Sequence, residues 1–176
     1  EFIFWDLAVV DGKIHNELKC ECGGEFKKNQ CKRVFFDYYD TSLDKIVQVV
    51  KQVPVEINYT YKRKRYTKKP DKHDFDLLKK IDETPIPYWH PIKILPKGHN
   101  TKQPWLSHGF GYSHQFFTKR NLYFLSYFYE LLNESLFPKK YVFTSIFPSI
   151  SKLYRYRTGG GGSPSNNLYI PSLIRE

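Results

Sequence analysis

Residues 118–134 read TKRNLYFLSYFYELLNE, and this stretch decides what kind of fold the chain can adopt. Leu122, Leu125, Tyr129 and Leu132 recur at the three- and four-residue spacing of one helical face, and Thr118 offers an N-cap hydroxyl ahead of them. Aromatics occupy the other faces as well, and a helix that is apolar nearly all round belongs against a sheet or a partner domain. The spacing therefore predicts one long aromatic-rich helix at the centre of a mixed portion, residues 37–176. Upstream of it, Pro85, Pro87, Pro91 and Pro96 make residues 84–103 an extended loop. Downstream, YVFTSIF (141–147) reads as a strand, residues 159–164 as a flexible loop, and NLYIPSLI (167–174) as a second extended segment.

Residues 1–36 read differently. EFIFWDLAVV is aromatic and β-branched, Asp11-Gly12 is a hairpin signal, and Cys22-Gly23-Gly24 marks another tight turn, so a small β-rich, zinc-ribbon-like unit is expected there. The fold class predicted is α+β. Residues 43–53, LDKIVQVVKQV, put Leu43, Ile46, Val47 and Val50 on one helical face although the valines also suit a strand; the reading leans to helix. Beyond Pro54, Val55, Ile57, Tyr59 and Tyr61 alternate with period two, as in a half-buried strand, with a hairpin turn near Arg63 and Lys64. Asp71 or Asp74 would cap a short helix carrying Phe75, Leu78 and Ile81.

Composition bounds the function. The chain has 176 residues, 40% hydrophobic and 26% charged, which suits neither a disordered chain nor a membrane bundle. No apolar run approaches the roughly 18 residues of a membrane span, and Asp6 interrupts an N-terminus that lacks a basic start, so a cytoplasmic protein is expected. Three cysteines, two of them one residue apart, do not make a secreted disulfide framework. The absence of methionine suggests a piece of a longer chain.

The net charge of +10 points to an anionic partner. Its densest source is Lys62, Arg63, Lys64, Arg65, Lys68 and Lys69, interleaved with Tyr59, Tyr61 and Tyr66. Such a run binds nucleic acid by displacing counterions from phosphates while tyrosines stack, or it is no more than a solvated hairpin. Cys20, Cys22 and Cys31 are candidate zinc ligands, with His15 as a fourth, or else free thiols; zinc in a structural site takes four ligands. Lys152, Arg155 and Arg157 precede the glycine tract and fit a phosphate-contacting loop or a linker equally. His108 and His114 flank GFGYS, either as ligands or in loop hydrogen bonding. Phosphate-binding Gly-rich loops and the Gly-x-Ser-x-Gly elbow are absent, and Glu56 beside the basic run would be the acid of a nuclease site.

FIFWDLAV (2–9), LKCECGGEFKK (18–28), residues 51–81 from KQVPVEINYT onward, PIPYW (85–89), SHQFFTKRNLYFLSYFYELL (113–132), SKLYRYRTGGGG (151–162) and LYIPSLIRE (168–176) resemble, in this order, bacterial and archaeal adenine-specific DNA methylases with a zinc-ribbon-like insertion. The resemblance implies a parent enzyme that moves a methyl group from S-adenosylmethionine to the exocyclic amino group of a flipped base. The chain has no Pro-Pro pair and no Phe-x-Gly-x-Gly loop, so the implied piece is the central region between the catalytic motifs, inactive alone, with the S-adenosylmethionine site outside it. The implied partners are DNA and the remaining catalytic region. Cys20 and Cys22 would be half a zinc site, and Arg120 and Asn121 would meet DNA or the methyl donor, or else simply cap and solvate the helix start. A stand-alone nucleic-acid-binding zinc-ribbon-like module and, behind it, a nuclease are the competing expectations.

Overall fold

The Asp11-Gly12 pair turns the chain as its residue types dictate: both residues take positive φ (49° and 70°), and β1 (Val9–Val10) returns antiparallel as β2 (Lys13–Ile14). The computed structural model describes residues 1–133, 138–157, 162–164 and 168–175. Residue 134, residues 159–161 and residue 167, which belong to the expected long helix, glycine loop and last extended segment, lie outside the described residues.

The expected initial strand is mostly helical: Phe4–Ala8 form α1, and only Val9 and Val10 extend. The Trp5 ring meets the Tyr156 ring edge-on at 5.0 Å, docking this unit onto the C-terminal part. β3 (Glu17–Lys19) and β4 (Glu25–Lys27) form a second hairpin around the cysteine turn, with Leu18 fully buried. The next strand, β5 (Phe35–Asp40), runs across residue 36 and pairs with β6 (Lys45–Val50).

β6 corrects the helical reading of residues 43–53. Ile46, Val47, Val49 and Val50 face Tyr39, Tyr38, Phe36 and Phe35 across the ladder, and such aromatic–β-branched pairs stabilise a strand where a helix would freeze χ1. β7 (Ile57–Tyr61) and β8 (Lys64–Lys68) make a fourth pair, and Asp71 caps α2 (Lys72–Glu83), trading side-chain-to-amide bonds with Asp74 at 3.1 and 2.9 Å. The proline loop runs without a regular element to Lys97, turns over residues 98–101 and yields to α3 (Lys102–His108), whose early Pro104 sits where its missing N–H is not needed. Gly109 ends α3 at φ +70°, and a Cβ there would lie 2.1 Å from the Gln48 carbonyl of β6, so only glycine fits.

The long helix is present as α4 (Lys119–Asn133), with Leu122, Leu125 and Leu132 buried. The segment 141–147 is not a strand but part of α5 (Pro138–Ile146) and a following 3₁₀ turn, because helical spacing lets Phe143, Ile146 and Phe147 meet Leu125, Phe128 and Tyr129 of α4. α4 is not covered all round: Phe124 and Leu131 stay exposed, while Tyr88 and Trp89 of the proline loop pack against Tyr127 and Tyr129. β9 (Tyr154–Tyr156) and β10 (Gly162–Pro164) close the list of strands; Gly162, Ser163 and Pro164, expected as loop, are paired. The architecture is thus mixed helix and strand, with strands only in two-stranded antiparallel pairs among the described residues. Two apolar clusters, one on Phe110, Phe116 and Ile170 and one on Leu125, Leu132 and Phe143, share Phe117. No described helix is long and apolar enough to cross a membrane.

Candidate nucleic-acid interface

The β7–β8 ladder pairs Ile57 with Lys68, Tyr59 with Tyr66 and Tyr61 with Lys64 on one face, and Asn58 with Thr67 and Thr60 with Arg65 on the other. Every residue from Asn58 to Thr67 is exposed, so neither face is covered: the expected strand forms, but not half-buried. The ribbon is an arm, and a lone two-stranded hairpin is only marginally stable in water. Its turn is Lys62-Arg63, with φ of 46° and 65°. Both central residues are left-handed, as in the tight turn that favours Asn-Gly, and each non-glycine residue there costs on the order of 1–2 kcal/mol. The turn puts two cations at the tip in spite of this strain.

Lys62, Arg63, Lys64, Arg65 and Lys69 are exposed, and none lies within ion-pair distance of a carboxylate among the described residues. Lys68 differs: its ammonium lies 3.0 Å from Asp71 and 2.7 Å from Asp74, which raise its pKa, so it ties the base of the arm to the α2 cap. Five of the six cations of the basic run are therefore available to phosphates.

Arg120 is exposed in the first turn of α4, whereas Asn121 is turned inward and donates from Nδ2 to the Ile150 carbonyl at 2.9 Å. Neighbouring Lys119 donates to Thr41 Oγ1 and to the Asp82 carbonyl at the far end of α2, and burial lowers its pKa. The arm and the α4 start thus sit at opposite ends of α2, separated by about 15 Å at a rise of 1.5 Å per residue. The structure does not merge them into one patch.

Between them, Tyr38, Tyr39, Phe75, Leu78, Asp82 and Glu83 line an open cleft of about 750 Å³. Burial raises the Asp82 carboxyl, and burial together with the charges of Asp82 and Asp40 pushes the Tyr38 hydroxyl up to about 12. Lys79 also lines it, 3.9 Å from Glu83, so the cleft presents no excess of cations to a phosphate.

The cysteine turn forms as its glycines suggest: Gly23 takes φ +84°, Cys20 N–H donates to the Gly24 carbonyl, and the Cys20 side chain, then the Gly24 amide, hold the Cys22 thiol below its ordinary value. Cys31 stands elsewhere, its thiol facing the Lys27 carbonyl at 3.8 Å, and His15 is exposed. Among the described residues no three His, Cys, Asp or Glu side chains gather as metal ligands. Two sulfurs are half the set zinc requires, so Cys20, Cys22 and Cys31 do not together form a site.

A buried pair went unread in the sequence. His114 donates from Nε2 to Asp40 Oδ2 at 2.7 Å, and Ser42 and Leu43 amides donate to Asp40 Oδ1. Burial alone would push the Asp40 carboxyl up, but His114 and the two amides outweigh it and hold it below the ordinary carboxylate value. The partners are 74 residues apart in sequence, which no local motif announces. His108 is also buried, at 2% exposure.

Comparison with models of known families, with curated proteins and with solved structures gives no match for this chain.

Proposed function

We propose that this chain is the DNA-binding portion of an S-adenosylmethionine-dependent, adenine-specific DNA methyltransferase, with the β7–β8 arm contacting the phosphate backbone. The observation that supports it is the arm itself: a ribbon uncovered on both faces, with the unpaired cations Lys62, Arg63, Lys64 and Arg65 at its tip. The order of segments that resemble the methylases supports the choice of enzyme, and without a Pro-Pro pair or a Phe-x-Gly-x-Gly loop in this chain methyl transfer would belong to the partner region. The arm would position DNA without reading it, since phosphate contacts carry no sequence information. Cys20 and Cys22 would contribute two of four thiolates if the remaining ligands come from sequence outside this chain.

The test is a duplex titration at several salt concentrations. Replacing Lys62, Arg63, Lys64 and Arg65 by glutamine is expected to flatten the log–log salt slope by as much as about 3.6, since each phosphate contact contributes roughly 0.9. An unchanged slope returns the arm to a solvated hairpin. The isolated chain is expected to transfer no methyl group to DNA, and transfer by it alone would defeat the assignment. A stand-alone nucleic-acid-binding module rests on the same arm and differs in having no catalytic sequence beside it. The nuclease reading has no comparable support: Glu56 accepts a hydrogen bond from Asn58 at 2.8 Å and joins no cluster of acids among the described residues.

A further inference from the structure

Charge explains the tip of the arm but not its tyrosine face. Tyr59 and Tyr66 are directly opposed in the ladder, their rings stacked at 5.4 Å and 20°. They remain 46% and 40% exposed, and Tyr61 beside them is 58% exposed. No other ring is paired with Tyr59 or Tyr66 among the described residues, so the short stack ends in open faces. Cations flank it: Lys64 lies opposite Tyr61 on the same face, and the Lys62 ammonium stands 5.3 Å from the Tyr61 ring centroid.

In a duplex the faces of the bases are covered by their neighbours, and aromatic side chains gain stacking only on bases that are unpaired. Resting on the nucleic-acid reading above, we infer that the tyrosine face of the arm is a stacking platform for unpaired bases, the flanking lysines tracking the phosphates of one strand. The platform is sequence-tolerant. On the opposite face the one carboxamide, Asn58, is already committed to Glu56 and Thr67, and every base offers a π-face to a tyrosine.

The experiment is an anisotropy titration of the whole chain with a labelled mixed-sequence single strand and with the same sequence as a duplex, repeated at several salt concentrations. Tyr59→Leu/Tyr66→Leu is expected to weaken single-strand binding roughly 5- to 150-fold, the worth of one stacked base, and to leave duplex binding and the salt slope unchanged. Tyr59→Phe/Tyr66→Phe, which keeps the rings, is expected to bind like the parent. Where the leucine pair also lowers the salt slope, the hairpin itself is lost. Tyr61→Leu, outside the ring pair, then carries the test and is expected to weaken single-strand binding with the slope intact. Parent-like single-strand binding by the leucine variants, or equal losses on both strand forms, overturns the platform and leaves the phosphate-binding arm standing. Failure of the parent to bind either form overturns the nucleic-acid reading and the platform with it.

Discussion

Acid should destabilise this protein through one residue, His108, well before its carboxylates protonate. His108 closes α3 with 2% of its surface exposed, its ring 5.6 Å from that of Phe110, and its Nδ1 meets no protein hydrogen-bond partner. A helix C-terminus favours a protonated histidine, but burial, followed by the charges of Arg33 and Lys152, pushes its pKa down to about 3. The unfolded chain takes up the proton near the ordinary value of about 6.5 while the folded chain refuses it, so the unfolded state binds more protons throughout the interval. Stability therefore falls as pH drops below about 6.5 and keeps falling to about 3. At about 1.36 kcal/mol per unit, the loss reaches about 2 kcal/mol at pH 5, and nearly 5 kcal/mol once both states are protonated. Against a typical domain stability of 5–15 kcal/mol, that is enough to unfold a marginal chain. The lowered pKa of Asp40 contributes stability that is fully present above about pH 4 and is lost only as pH falls further, so it does not enter the comparison between pH 7.5 and pH 5. The assay is urea unfolding followed by circular dichroism at pH 7.5 and pH 5, for the parent and for His108→Leu. The parent is expected to lose about 2 kcal/mol more than the variant between the two conditions. Parallel losses would refute the reasoning and mean that the His108 site admits a proton and its water.

Two further outcomes test the turns. Lys62→Asn/Arg63→Gly relieves the left-handed strain at the arm's tip and is expected to stabilise the hairpin while lowering the DNA salt slope by about 1.8, read by amide exchange and by titration. Gly109→Ala places a methyl group against the Gln48 carbonyl where α3 meets β6 and is expected to cost about 2 kcal/mol or more, read as a lowered urea midpoint at unchanged slope.

Much of the candidate interface was legible because it is local. The alternation of Tyr59 and Tyr61 with polar residues, and the basic tetrad after them, place the turn within a residue of Lys62-Arg63, while β7 begins at Ile57, two residues after the expected Val55. What alternation could not show is that the apolar face of this ribbon has nothing packed on it. The same limit appears at Lys68, indistinguishable in the run from Lys69 until folding brings Asp71 and Asp74 to its ammonium. Arg120 and Asn121 are adjacent in sequence, yet one faces water and the other the Ile150 carbonyl.

Features whose cause lies within a few residues follow from local residue order: the Asp11-Gly12 turn, the cysteine turn, the Asp71 cap of α2, the stripe of α4 and the charge of the arm. Features whose partners are distant in the chain took their form from packing. Residues 45–50 became a strand because β5 offers aromatic rings across the ladder, and residues 138–146 a helix because α4 offers Leu125 and Leu132 to Phe143. The buried Asp40–His114 pair and the proton-refusing His108 exist only inside the assembled core, since desolvation acts on a side chain only after the rest of the chain has closed over it.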